Sequence, residues 1–207
     1  MRSRREEVVS AMIHGFGALA ILAASPVLLA TSWRQGGVLP LATAGIFIVT
    51  ALMLYVASTV YHALPPGRTK CRWQAFDHIA IFLLIAGTYT PFALGVLRGP
   101  WGWSLFAIVW GLAVAGLLAE WLGLRQVRAM SLGIFLAMGW VAVFAIVPIV
   151  QRVPTHGLLL IVAGGMAYTV GTVFYAIERV AYFHAVWHVF VLVGTSLHLA
   201  AVMDYAL

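Results

Sequence analysis

Two short stretches carry residue types spaced for chemistry. His184 and His188 stand four residues apart in HAVWH, and Ser58 and His62 repeat that interval in STVYH. Residues i and i+4 share one helix face, with Cβ atoms about 5–6 Å apart. Two imidazoles so placed can aim at one point, as paired histidines do in helical zinc sites. Serine is a poor zinc ligand but a good hydrogen-bond partner for a ligand or a water. It can equally bond back to the carbonyl one turn earlier. A single carboxylate, Asp77, opens DHIAIF. It can complement a helix N-terminus, solvated by Lys70 and Arg72, or it can handle a proton beside a metal. Three histidines with a fourth position open are the arrangement of catalytic zinc sites, whereas structural sites close all four positions. Such a site makes bound water acidic enough to ionise near pH 7, and an adjacent carboxylate can orient that water and carry its proton. His62, His184 and His188 are therefore the candidate metal ligands, and Asp77 and Ser58 the candidate catalytic groups.

The elements that must position these groups are membrane helices. The 207 residues are 63% hydrophobic and only 9% charged, against about a quarter charged in a soluble domain. Net charge is +6, but the basic residues lie between apolar runs and form no stripe, so nucleic acid is not an expected partner. The lone Cys71 excludes an intrachain disulfide and a Cys-x-x-Cys metal knuckle. Seven apolar stretches of spanning length run over about 11–32, 39–64, 75–97, 101–122, 130–150, 155–177 and 184–206. A bilayer obliges each to satisfy its own backbone, so all seven are predicted helices in one all-α integral membrane bundle spanning 1–207. Pro26, Pro91 and Pro148 fall inside spans and are expected to kink them.

Basic residues set the expected orientation. The N-terminus (Arg2, Arg4, Arg5) and loops two (Arg68, Lys70, Arg72), four (Arg125, Arg128) and six (Arg179) hold nine of the twelve; Arg34, Arg98 and Arg152 make up the other three. Nine against three predicts a cytoplasmic N-terminus and an external C-terminus. Trp33, Trp101 and Trp103 then suit an outer aromatic belt, and Trp73, Trp121 and Tyr182 an inner one. The opening MRSRREEVV followed by an apolar run also has some look of a signal peptide, but the run is long and contains His14.

This topology brings the ionisable groups to one depth. His14, His62, Asp77, His184 and His188 all fall within roughly one to two helical turns of the inner interface. Ionisable groups inside a span are costly and are functional candidates by default. The remaining polar groups read differently. His78 points about 100° away from Asp77 and suits packing or an interhelix hydrogen bond. His156 reads as solvated at an outer loop, and Asp204 as wet near the outer end. Glu120 and Glu178 are placed to snorkel. His198 lies roughly 20 Å further out than His184, where it can bond within the bundle or line a polar path.

Four segments in order resemble the haemolysin III family, the bacterial branch of the progestin and adipoQ receptor superfamily. They are EEVVSAMIHG (6–15), STVYHAL (58–64), DHIAIFLLIAGTYTPF (77–92) and HAVWHVFVLVG (184–194). The resemblance implies a seven-helix bundle with its N-terminus inside, in the cell's inner (plasma) membrane. It further implies a zinc ion held near the cytoplasmic face by His62, His184 and His188, with Asp77 and Ser58 beside it. The superfamily is grouped with alkaline ceramidases as metal-dependent amide hydrolases. The first segment departs from the family pattern at Ser10 and Ile13, where asparagine and threonine are usual, which leaves any polar role carried over to Glu7 and His14 open and the zinc set untouched. Three functions follow as expectations. One is a zinc-dependent hydrolase acting on a membrane lipid amide, ceramide-like or N-acyl. Another is a receptor or sensor with structural zinc and a membrane ligand. The third, a pore-forming haemolysin, fits poorly, because polar groups crowd one leaflet.

Overall fold

The computed structural model describes residues 3–122, 128–177 and 179–206. Arg2, Arg125 and Glu178 lie outside the described residues, as does the side chain of Arg128. Eight α-helices form seven spans: α1 (Arg4–Arg34), α2 (Val38–Ala63), α3 (Arg68–Leu94), α4 (Pro100–Trp121), α5 (Arg128–Trp140), α6 (Ile146–Arg152), α7 (Thr155–Ala176) and α8 (Phe183–Tyr205). Each span is long and apolar enough to cross a membrane. The fifth is composite, since α5 and α6 are joined by a 3-10 stretch, Val141–Ala145.

Two helices start earlier than hydropathy suggests. The Ser3 hydroxyl accepts from the Glu6 N–H at 3.3 Å while Glu6 Oε2 accepts from the Ser3 N–H at 2.7 Å. This reciprocal cap starts α1 well before the apolar run. The helix has 31 residues and rises about 46 Å, against a hydrocarbon core of about 30 Å. α3 likewise begins at Arg68 and carries a polar opening, RTKCRW. Asp77 is therefore not at a helix start; it stands nine residues in, beyond the reach of the N-terminal dipole.

Successive helices pack as antiparallel neighbours through α1–α2, α2–α3, α3–α4 and α7–α8, and an α1–α8 contact closes the ring. That closure brings the start of the last span against the first two. One apolar core, around Phe47, Leu54, Tyr55 and Trp187, joins α1, α2 and α8. A second, around Phe82, Val109, Phe135 and Met138, joins α3, α4 and α5. Gly17 matters to the first core, because a Cβ there would lie 2.8 Å from the Tyr55 ring.

Pro148 was expected to kink its span, and here the span breaks. Proline offers no N–H to the carbonyl one turn earlier and crowds it, and the preceding residues tighten into the 3-10 stretch. The Tyr89 hydroxyl repairs the break from α3. It donates to the Gly139 carbonyl at 2.7 Å and accepts from the Ala142 N–H at 3.0 Å. Broken backbone at membrane depth persists only where something satisfies it. Pro26 and Pro91 lie within α1 and α3, which continue through them.

Candidate metal centre

His62 lies in the last turn of α2, and His184 and His188 lie in the first two turns of α8. The α1–α8 closure sets those two helix ends side by side. His62 Nε2 lies 3.0 Å from His188 Nε2 and 3.3 Å from His184 Nε2. One ligand atom from each of the three falls within 4.8 Å of the others. A tetrahedral ion with metal–nitrogen bonds of 2.0–2.1 Å separates its ligands by roughly 3.3 Å, so these two separations lie near such an edge. His62 and His188 are buried and His184 partly so. Three imidazoles converging through Nε2 suit a divalent transition ion, and these histidines lie close enough to hold one.

The far side of His62 is also engaged. Its Nδ1 lies 3.0 Å from Glu7 Oε2. Lys70 Nζ donates to that same oxygen at 2.7 Å, and to the carbonyls of Tyr61 at 2.8 Å and Leu64 at 3.1 Å. Lys70 is thus committed to Glu7 and the end of α2. The sequence left the role of Glu7 open; the structure gives it a direct contact with a candidate ligand. The neighbouring Glu6 accepts from the Tyr182 N–H at 2.8 Å, just before α8 begins. Tyr182 holds a left-handed backbone (φ 64°) at that turn. The tandem acidic pair after a basic start was the available signal, but which side of α1 faces α2 and α8 was not readable from it.

His14 is buried, with its ring centroid 3.8 Å from that of His188. Neither of its ring nitrogens has a hydrogen-bond partner. It sits in the third turn of α1 rather than the first, again because the helix starts early. Ser58 is fully buried, and its hydroxyl makes no hydrogen bond. The back-bond to the preceding turn, open from sequence, is not formed. Asp77 is 6% exposed and lines the same cavity as His184 and His188; it is not one of the converging ligand atoms.

Other polar residues sort as follows. His78 Nδ1 lies 3.6 Å from Glu120 Oε1, an interhelix contact between α3 and α4. Glu120 does not snorkel; its side chain is only 3% exposed. It falls on the face of α4 that packs against α3, a rotation hydropathy does not specify. His198 lies 3.1 Å from the Ile161 carbonyl, and Gly164 makes room for its ring. His156 is exposed yet bonded to the Tyr205 hydroxyl at 3.0 Å, so solvation alone does not describe it. Asp204 is exposed as expected.

A cavity of about 1030 Å³ runs from this polar end into the bundle. Glu7, His14, Lys70, Asp77, His184 and His188 line one end, and Leu97, Leu105, Ile149, Val153 and Leu158 line the other. Val143, Ile146 and Val162 also line it while being 52%, 50% and 55% exposed. The cavity wall between the fifth and sixth spans therefore faces the surroundings directly. In a bilayer those surroundings are acyl chains.

The sequence has relatives among known proteins. A family profile described as Haemolysin-III related matches residues 2–199. Hemolysin-3 of Bacillus cereus is 36% identical over 203 residues, covering 98% of this chain and 93% of that protein. The Hemolysin-3 homolog of Bacillus subtilis (strain 168) is 36% identical over 201 residues, covering 97% and 94%. More distantly, human monocyte to macrophage differentiation factor is 26% identical over 169 residues, covering 79% and 70%. The chain is a multi-pass membrane protein of the haemolysin III family, similar also to the progestin and adipoQ receptor superfamily.

Proposed function

We propose that the protein is a zinc-dependent intramembrane hydrolase acting on a lipid amide, either ceramide-like or an N-acyl lipid. The observation that carries this reading is a single cavity. Its polar end is lined by the buried carboxylate of Asp77 and by His184 and His188, two of the three convergent imidazoles, with His62 buried behind them, and its other end is an apolar chamber with partly exposed walls. His62, His184 and His188 would hold the ion. When bound, zinc supplies a Lewis acid and a water ionisable near neutral pH. Asp77 takes the proton of the attacking water on a carboxylate oxygen and delivers it to the leaving amine nitrogen. The Ser58 hydroxyl, bound to nothing else, donates to the carbonyl oxygen as charge develops there. The apolar walls take up the acyl chain and keep bulk water out. The nine-to-three distribution of basic residues favours an inner (plasma) membrane protein with this site at the cytoplasmic side.

A receptor or sensor with structural zinc is the second reading. It is favoured by the way the imidazoles tie the end of α2 to the start of α8. A pore is disfavoured by the apolar far end of the cavity. The test uses purified protein in lipid nanodiscs, assayed for metal content and for release of fatty acid from N-acyl lipids. Asp77→Asn is expected to retain metal and lose about 100-fold or more in turnover; equal turnover removes the general-base role. Metal bound at full occupancy with no amide cleaved by wild type across an acyl-lipid panel supports the receptor.

A further inference from the structure

The residues behind His62 hold more order than a metal ligand needs for packing alone. We propose that Glu7 and Lys70 form a positioning pair that locks His62 in the tautomer able to bind metal. This inference rests on the metal-centre reading of the three histidines and not on hydrolysis.

The geometry is specific. Histidine must present a lone pair to a metal, so His62 can use Nε2 only when its proton is on Nδ1. A carboxylate can only accept a hydrogen bond, and Glu7 Oε2 lies 3.0 Å from Nδ1. The contact therefore requires an Nδ1–H donor, and in the neutral ring that places the lone pair on Nε2, the atom that faces His184 and His188. A carboxylate behind a metal-bound imidazole fixes ring orientation and raises ligand basicity.

Lys70 explains why Glu7 stays there. An ammonium has three donors, and the structure accounts for all three, at Glu7 Oε2, the Tyr61 carbonyl and the Leu64 carbonyl. The two carbonyls belong to the end of α2, the helix that carries His62. Lys70 is thereby fixed in the frame of the histidine it serves. Its charge offsets that of Glu7, which is sheltered, with side-chain exposures of 13% for Glu7 and 16% for Lys70. An unneutralised carboxylate on this flexible stem would compete for the cation itself. Instead it is tethered on the Nδ1 side and is absent from the converging ligand atoms.

The test reads metal binding without turnover. Wild type, Glu7→Gln, Glu7→Asp and Lys70→Met are purified in detergent with their metal removed. Each is titrated with cobalt(II) against a chelator, and its visible d–d absorption is recorded. Glu7→Gln is expected to bind cobalt about 10–100-fold more weakly, with a shifted ligand-field band. Lys70→Met is expected to weaken binding by a smaller factor, and Glu7→Asp to recover part of the affinity that Glu7→Gln loses. Affinities within twofold of wild type and an unchanged spectrum in Glu7→Gln overturn the proposal. If Glu7→Gln does not give a monodisperse protein, Lys70→Met decides, and cobalt affinity within twofold of wild type overturns it. Wild type that binds no cobalt removes the metal centre as well. Normal cobalt binding with no amide hydrolysis leaves this pair standing and removes only the hydrolase.

Discussion

Replacing His188 by alanine separates a metal centre from a mere cluster of rings. His188 is 2% exposed, lies 3.0 Å from His62 Nε2 and packs against His14. Its loss therefore opens a cavity whether or not a metal binds, and an absolute melting temperature is uninformative. The metal-dependent increment is informative, because the cavity cost is common to both arms and cancels. A ligand binding only the folded state stabilises by RT ln(1 + [L]/Kd), about 4.1 kcal/mol at 1,000 times Kd. At about 2–4 °C per kcal/mol for a chain of this size, wild type should gain roughly 8–16 °C on adding metal. A 1,000-fold weaker site at the same free metal concentration retains only about 0.4 kcal/mol, an increment of about 1–2 °C. The assay is thermal unfolding of the detergent-solubilised protein with zinc or with chelator, followed by tryptophan fluorescence. A His188→Ala increment as large as that of wild type refutes the site. So does a wild type that melts identically with zinc and with chelator.

Two further outcomes test the frame around the site. Tyr89→Phe strips the Gly139 carbonyl and the Ala142 N–H of their shared partner; a loss of about 1–2 kcal/mol is expected, with faster hydrogen exchange across 139–146, and unchanged exchange there would detach Tyr89 from the break. Cys71 is the lone cysteine and is exposed at the polar start of α3, so a membrane-impermeant maleimide should label it only after intact cells are permeabilised; labelling of intact cells reverses the proposed orientation.

Hydropathy located seven spans because length and apolarity suffice for that. It missed where α1 and α3 begin, since polar turns can be helical without being apolar. The error placed Asp77 at a helix start and His14 in a first turn, and the capped opening at Ser3 and the long α3 correct both. The histidine trio was legible for a different reason. An i, i+4 pair fixes one face, and alternating topology brings the third histidine to the same depth. Glu7 and Glu120 were not legible, because their roles depend on how α1 and α4 are rotated about their own axes. Spacing along one helix does not set that rotation; packing against neighbours does. The break at Val141–Ala145 was half legible. Pro148 announces trouble in its span, but the hydroxyl that makes the break tolerable comes from Tyr89, on another helix.

Buried hydroxyls bear on whether the centre does chemistry. Among the described residues nine Ser and Thr side chains are buried, and seven of them bond a carbonyl of their own helix, as Ser32, Thr88 and Thr195 do. The preceding turn always offers that partner, so back-bonding is the cheap solution in an apolar interior. Ser10 and Ser58 do without it. Ser10 lies one turn before His14, and Ser58 one turn before His62. An unsatisfied buried hydroxyl costs about 1–3 kcal/mol, and a metal that only braces helices makes no use of it. A hydrolase does, because a donor aimed at a carbonyl oxygen contributes about 100-fold or more to turnover. Ser58→Ala should therefore leave cobalt affinity within twofold of wild type, leave the melting temperature unchanged or slightly raised, and lower amide turnover by about 100-fold. Lost stability or metal affinity with turnover intact would make Ser58 part of the scaffold and take the hydroxyl out of the mechanism.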